Sequence, residues 1–127
     1  MTVISEKQKE EEIRKRLSIE VCDNFIKRLN PLQKKEIKMG ALIAIKNLIK
    51  ESTINDPILY SFLVDTIVDP DKEVRNTVVK VIKDVGVDLY ICPQIIELLE
   101  IKLKEATSEI KKEIDTLLHK LKNSLTN

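Results

Sequence analysis

The stretch Asp69–Gly86, DPDKEVRNTVVKVIKDVG, decides the fold. Taken alone, its β-branched VVKVI centre suits a strand as well as a helix. Two further copies of the pattern settle the choice. EIKMGALIAIKNLI from Glu36, EVRNTVVKVIKDVG from Glu73 and EIKKEIDTLLHKLK from Glu109 align without gaps, at spacings of 37 and 36 residues. Each copy opens with Glu, continues with Ile37, Val74 or Ile110, and then carries a base: Lys38, Arg75 or Lys111. Apolar residues recur at the sixth, ninth, tenth and thirteenth positions, which in the middle copy are Val78, Val81, Ile82 and Val85. Steps of three and four put these side chains on one face of an α-helix. A repeat of this kind is sought before any local reading, because missing it misassigns the whole fold.

The register continues upstream. Phe25, Phe62 and Leu98 each stand eleven residues before the opening Glu, followed by Ile26, Leu63 and Leu99 and preceded at three residues by Cys22, Leu59 and Ile95. Each unit is therefore a helical hairpin, with a first (A) helix, a short turn and a second (B) helix. Turn residues agree. Asn30-Pro31 with Gln33 has the form of a capping box, Asp56-Pro57 opens the second A helix, and Asp69-Pro70-Asp71 opens the second B helix. Gly86 fits the stop of that helix, and Cys92-Pro93 leads into the third A helix. Helices are predicted over 5–29, 31–51, 57–68, 70–85, 92–105 and 108–123. They form hairpins over 5–51, 56–86 and 90–123 of one domain spanning 1–127.

The repeat length, the two helices per unit and the D-P-D-x-E-V-R opening of Asp69–Arg75 resemble the HEAT-type, armadillo-like repeat family. The resemblance covers about residues 20–123. It implies an all-α chain, a right-handed α-α superhelix of three hairpins and six helices, with the B helices lining its concave side. It also implies that Asp69 and Arg75 make ladder contacts between turns and stacked repeats. The first copy departs, with Lys38 for the Arg and Leu32 for the Asp, and the third has Lys111 and Glu105, so the ladder is expected to be incomplete. A resemblance of fold carries no function by itself.

Within a stack of hairpins, inner units need wide apolar faces and terminal units polar outer ones. In the third B helix Ile110, Ile114, Leu117, Leu118 and Leu121 form a narrow stripe, as a terminal cap requires. In the first B helix Ile37, Ala41, Ala44 and Leu48 centre the expected buried face, which leaves Met39 and Ile43 outward, with Leu42 beside them. The equivalent outward positions are polar in the other copies. Exposed apolar residues rimmed by charge mark either a partner or dimer surface, or a patch covered by another part of the chain such as its N-terminal residues. Ahead of the first hairpin, Glu10–Arg14, Glu11–Lys15 and Glu12–Arg16 are favourable i,i+4 pairs, and Ser5 with Gln8 has the spacing of a capping box. Residues 1–12 are expected as a loosely packed helical extension; Ile13, Leu17 and Val21 give the N-terminal helix one thin apolar stripe, which either caps the stack or pairs with a second chain.

The net charge of +1 hides an uneven distribution. Counted over 31–51, 70–86 and 108–123, the B helices carry thirteen basic and eight acidic residues, an excess of +5; counted over 5–29, 56–68 and 89–105, the A helices carry nine basic and eleven acidic, or −2. A basic stripe would run through Lys46, Lys50, Lys80, Lys83 and Lys112. It would suit an acidic protein segment or, as the alternative, nucleic-acid phosphates. Aromatics are 3% of the chain (Phe25, Phe62, Tyr60 and Tyr90), and most fall on faces expected to be buried, which argues against base stacking.

Other classes are excluded more simply. Two Cys far apart make neither a disulfide scaffold nor a zinc site, and two Gly make no phosphate-cradling loop. Cys22 occupies a core position of the repeat, whereas Cys92, before a proline, is the thiol expected at the surface. No run of apolar residues is long enough to span a membrane, and the opening MTVISEKQKEEE has no signal core, so a cytoplasmic location is expected. His119 is the only histidine and falls on an outward position; no catalytic constellation, metal site or cofactor site is nominated. The chain is read as a non-enzymatic protein-interaction or scaffold module. Its partner-binding residues are Met39, Ile43, Lys46, Lys50, Lys80 and Lys83, with self-association through the same patch as a variant.

Overall fold

The computed structural model describes residues 18–51 and 56–126. Every regular element among them is helical: α1 (Ile19–Arg28), α2 (Lys35–Lys50), α3 (Ile58–Thr66), α4 (Lys72–Val85), α5 (Cys92–Leu103) and α6 (Ser108–Thr126). The extension expected over residues 1–12, with its capping box and ion pairs, lies outside the described residues.

The helices pack as the repeat requires. Each A helix lies against its own B helix: α1 on α2, α3 on α4 and α5 on α6. Like helices also stack on like, α2 on α4, α4 on α6 and α3 on α5. The reason is visible at the recurrent apolar positions. Ala41, Val78 and Ile114 are buried, as are Ile45, Ile82 and Leu118 in the three equivalent B helices, and Val81, Val85, Leu117 and Leu121 complete the set. Ala44 and Leu48 are half-buried against the same core. Phe25 and Phe62, one repeat apart, meet with ring centroids 5.9 Å apart and planes tilted by 51°.

Some boundaries differ from expectation. Ser18 is extended (φ −67°, ψ 154°) and its side chain accepts a hydrogen bond from Val21 N–H, so α1 starts at Ile19 instead of running through from residue 5. Asn30 does not cap α2. Its Oδ1 accepts from Leu32 N–H at 2.9 Å, its carbonyl accepts from Gln33 N–H in a tight turn, and the Pro31 carbonyl accepts from Lys38 Nζ at 2.6 Å. The helix therefore begins four residues later, at Lys35. Two later starts carry side-chain contacts from the expected acids. Asp56 Oδ1 accepts from Ile58 N–H at 3.1 Å, and Asp71 Oδ1 accepts from Glu73 N–H at 2.8 Å.

The charged ladder is continuous, with different members at each step. Lys38, 3% exposed, donates to Asp69 Oδ2 at 2.9 Å across the first junction. Asp69 Oδ1 in turn accepts from Asp71 N–H. Arg75, 5% exposed, donates to the Asp69 and Pro70 carbonyls at 2.8 and 3.2 Å, closing its own turn. It then reaches across the second junction to Glu113 at 2.9 Å and Glu109 at 3.8 Å. Lys38 thus fills the arginine's place. Glu113 and Glu109, not Glu105, supply the acids; Glu105 instead meets Lys102. Buried charge is tolerated only when paired and fully hydrogen-bonded. Among the described residues no buried side-chain N or O atom lacks a partner.

Two further expectations are corrected. The buried face of α2 is rotated from the one expected: Lys38, Ala41, Leu42, Ile45 and Ile49 are buried, and Ile37 and Leu48 only partly. The cause is that α2 packs on α1, α3 and α4, so its buried arc is wider and displaced toward α4. Leu42, expected beside an exposed patch, is consequently at the centre of the core. Cys92 is fully buried, its Sγ facing the Leu121 carbonyl at 3.8 Å, because Pro93 takes the outward position at the start of α5. Most of the aromatics are buried as expected: Phe25, Tyr60 and Phe62 lie in the core, and Tyr90 is 69% exposed in the α4–α5 turn.

Candidate functional site

The six residues singled out from the sequence separate into three groups. Met39 is half-buried and packs against the core, so it is not a free anchor. Ile43, Lys46, Lys80 and Lys83 line one open groove of about 520 Å³ between α2 and α4, together with Thr77, Val81, Asp84 and Val87. Lys50 stands at the margin of this groove, tied to it through Asp84. Lys112 is exposed on α6 but does not line the groove.

The groove's geometry follows from helix stacking. On α2, Ile43 and Lys46 are three residues apart and share a face; on α4, Thr77, Lys80, Val81 and Asp84 do the same. Stacking α2 on α4 brings the two faces edge to edge. Ile43 is 52% exposed and Val87 78% exposed, so the trough has a solvent-facing apolar component. Val87 begins a turn in which Leu89 and Tyr90 are also exposed. Asp88 shapes that turn by accepting from Tyr90 N–H at 2.8 Å.

Asp84 is the residue that sequence reasoning missed. Its carboxylate accepts from Lys50 at 2.8 Å and from Lys46 at 3.2 Å, so one acid serves two bases. Hydrogen bonds from Lys50 and then Lys46 hold its carboxyl below the ordinary carboxylate value. The signal was present in the repeat register. Lys46 is the eleventh residue of its copy and Asp84 the twelfth of the next, positions that meet across a junction.

The same two positions meet at the second junction, where they are Lys83 and Lys120. There two bases are set side by side, and Lys120 lowers the Lys83 ammonium below its ordinary value, with burial a lesser cause. Neither lysine has an acid within ion-pair distance among the described residues, and nor does Lys80. The groove thus has a neutralised end at Lys46, Lys50 and Asp84 and a cationic end at Lys80 and Lys83, beside Lys120, with no acid partner among the described residues.

Elsewhere the polar chemistry is sparse. His119 is exposed on α6. Cys22 and Cys92 are free thiols raised above the ordinary value, chiefly by burial. Among the described residues no group of three His, Cys, Asp or Glu is placed to hold a metal, and no helix is long and apolar enough to cross a membrane. A second recess of about 330 Å³, lined by Ile26, Leu29, Pro31, Phe62, Val68 and neighbours, lies where α1 meets α3 and is mostly apolar. No family model, curated protein or solved structure matches the chain.

Proposed function

We propose that the chain is a HEAT-type stack of three hairpins, wound as a right-handed superhelix, that acts without catalysis by holding a protein partner on its B-helix surface. Stacking of like helices and repetition of the charged junction at Lys38–Asp69 and Arg75–Glu113 support the superhelical reading. The observation that carries the functional reading is the groove itself. Ile43 and Val87 offer exposed apolar area, and Lys46, Lys80 and Lys83 rim it with charge. Apolar area within a charged rim is the form of a protein-binding patch. The two unpaired thiols fit the reducing cytoplasm.

Nucleic-acid binding is the second reading, favoured by Lys80, Lys83 and Lys120, which have no acid partner among the described residues. Phosphate binding draws its strength from a run of free cations. Here Lys46 and Lys50 are already engaged by Asp84, whose carboxylate would also repel a phosphate chain. The protein partner is therefore the better fit.

Reversing Lys46, Lys80 and Lys83 to Glu together tests the surface. The tagged chain and the triple variant, matched for helicity and melting temperature, are used to capture partners from the native cell for identification by mass spectrometry. The wild-type chain retains a specific partner that the variant loses. Equal retention by both removes this surface as the site.

A further inference from the structure

The repeat register makes the second junction a natural comparison for the first. At the first, the eleventh-position base Lys46 meets a twelfth-position acid, Asp84, at 3.2 Å. At the second, the same register and the stacking of α4 on α6 set the eleventh-position base Lys83 opposite a twelfth-position base, Lys120. The helices stack in the same order at both places, α2 on α4 and α4 on α6. One slot is built with its counter-charge inside the chain; its equivalent holds two bases and no acid among the described residues. Like charges set side by side repel unless something between them is negative.

We infer that the slot between Lys83 and Lys120 receives a carboxylate from an acidic segment of the protein partner, while an apolar side chain of the same segment rests on Ile43 and Val87. The inference rests on the B-helix surface being the binding surface and adds the partner's chemistry. Lys83 is common to the slot and the groove, so an occupant of one is in reach of the other. Lys80, one turn from Lys83 on α4, extends the cationic side and suits a second acid on the partner. A protein segment fits better than a phosphate chain because the groove is partly apolar and carries its own carboxylate, Asp84. An acidic amphipathic helix, with Glu on one side and Leu on the other, has the required chemistry. Charge complementarity of this kind steers encounter and fixes register.

The variant Lys120→Glu separates this slot from the integrity of the fold. It places a Lys–acid pair at the second junction, as at the first, and so leaves the chain at least as stable as the wild type, yet fills the slot from within. A fluorescent synthetic peptide with glutamates along one helical face and leucines along the other is titrated with the full chain, and a DNA duplex of equal charge is titrated in parallel. The wild-type chain binds the peptide more tightly than the duplex. Lys120→Glu weakens peptide binding about tenfold or more while its melting temperature stays equal or rises. Failure of the wild-type chain to bind the peptide, or tighter binding of the duplex, overturns the inference. If Lys120→Glu binds the peptide as the wild type does while the Lys46, Lys80 and Lys83 reversal does not, the slot falls and the surface stands. If all three chains bind alike, the surface falls with it.

Discussion

Lys38 and Arg75 occupy one position of the repeat, and both are buried at the centre of a junction. The difference in their chemistry explains their partners. Lysine offers a compact ammonium, which reaches one carboxylate, Asp69, and one carbonyl, Pro31. Arginine offers a planar fork, which spans two carbonyls of its own turn and Glu113 of the next unit. Asp69 is shared by both systems: its side chain holds Lys38 and its carbonyl accepts from Arg75. Asp69→Ala leaves the Lys38 ammonium buried without its counter-charge. It is expected to cost about 3–5 kcal/mol in urea or thermal unfolding, whereas the double change Lys38→Met with Asp69→Leu is nearly neutral. An Asp69→Ala chain as stable as the wild type would show the pair to be dispensable. At this scale the sequence was legible where a residue's place depends on its own turn, as for Asp56 and Asp71. It was not legible where the place depends on a neighbouring helix. Cys92 is buried because α6 lies over it, and Asp84 belongs to the groove because α2 brings Lys46 and Lys50 beside it.

At the scale of the element, the repeat predicts which helix exists and leaves its ends and its rotation to competing local contacts. The start of α2 shows this best. A sound capping sequence, Asn30-Pro31, is overridden because Lys38 takes the Pro31 carbonyl and Asn30 turns back on Leu32. Rotation is set the same way. An inner helix packed on three neighbours buries a wider arc than a periodicity can resolve, so Leu42 moves into the core and Ile43 is left outside. Gly86 gives another lesson. It ends α4 with an ordinary right-handed conformation, φ −73°, so backbone freedom is not what it provides. It provides space: a Cβ there would stand 2.9 Å from Leu121 Cδ2 and 2.7 Å from the Ile82 carbonyl oxygen. Gly86→Ala is therefore expected to push α6 from α4 and to destabilise the chain by about 1–3 kcal/mol in urea unfolding, as overpacked sites do. A stabilising effect, as expected for an unconstrained Gly→Ala change, would mean that Leu121 moves aside freely.

Across the whole molecule, the order of hairpins was legible because the same pattern of core residues is written three times, and a repeated error is improbable. The polarity of the surface was legible only in part. Counting charge by helix showed the B layer to be basic but not which lysines are neutralised, since that depends on Asp84 lying between Lys46 and Lys50. The proposed function lies with the remaining cationic end of the groove and its apolar neighbours. Hydrogen–deuterium exchange of the full chain, with and without the captured partner, tests that assignment directly. The account predicts added protection in the Ile43–Lys50 half of α2 and in α4 through Val87, with little change in α3 and α5. Protection confined to α3 and α5, with α2 and α4 unchanged, would contradict it.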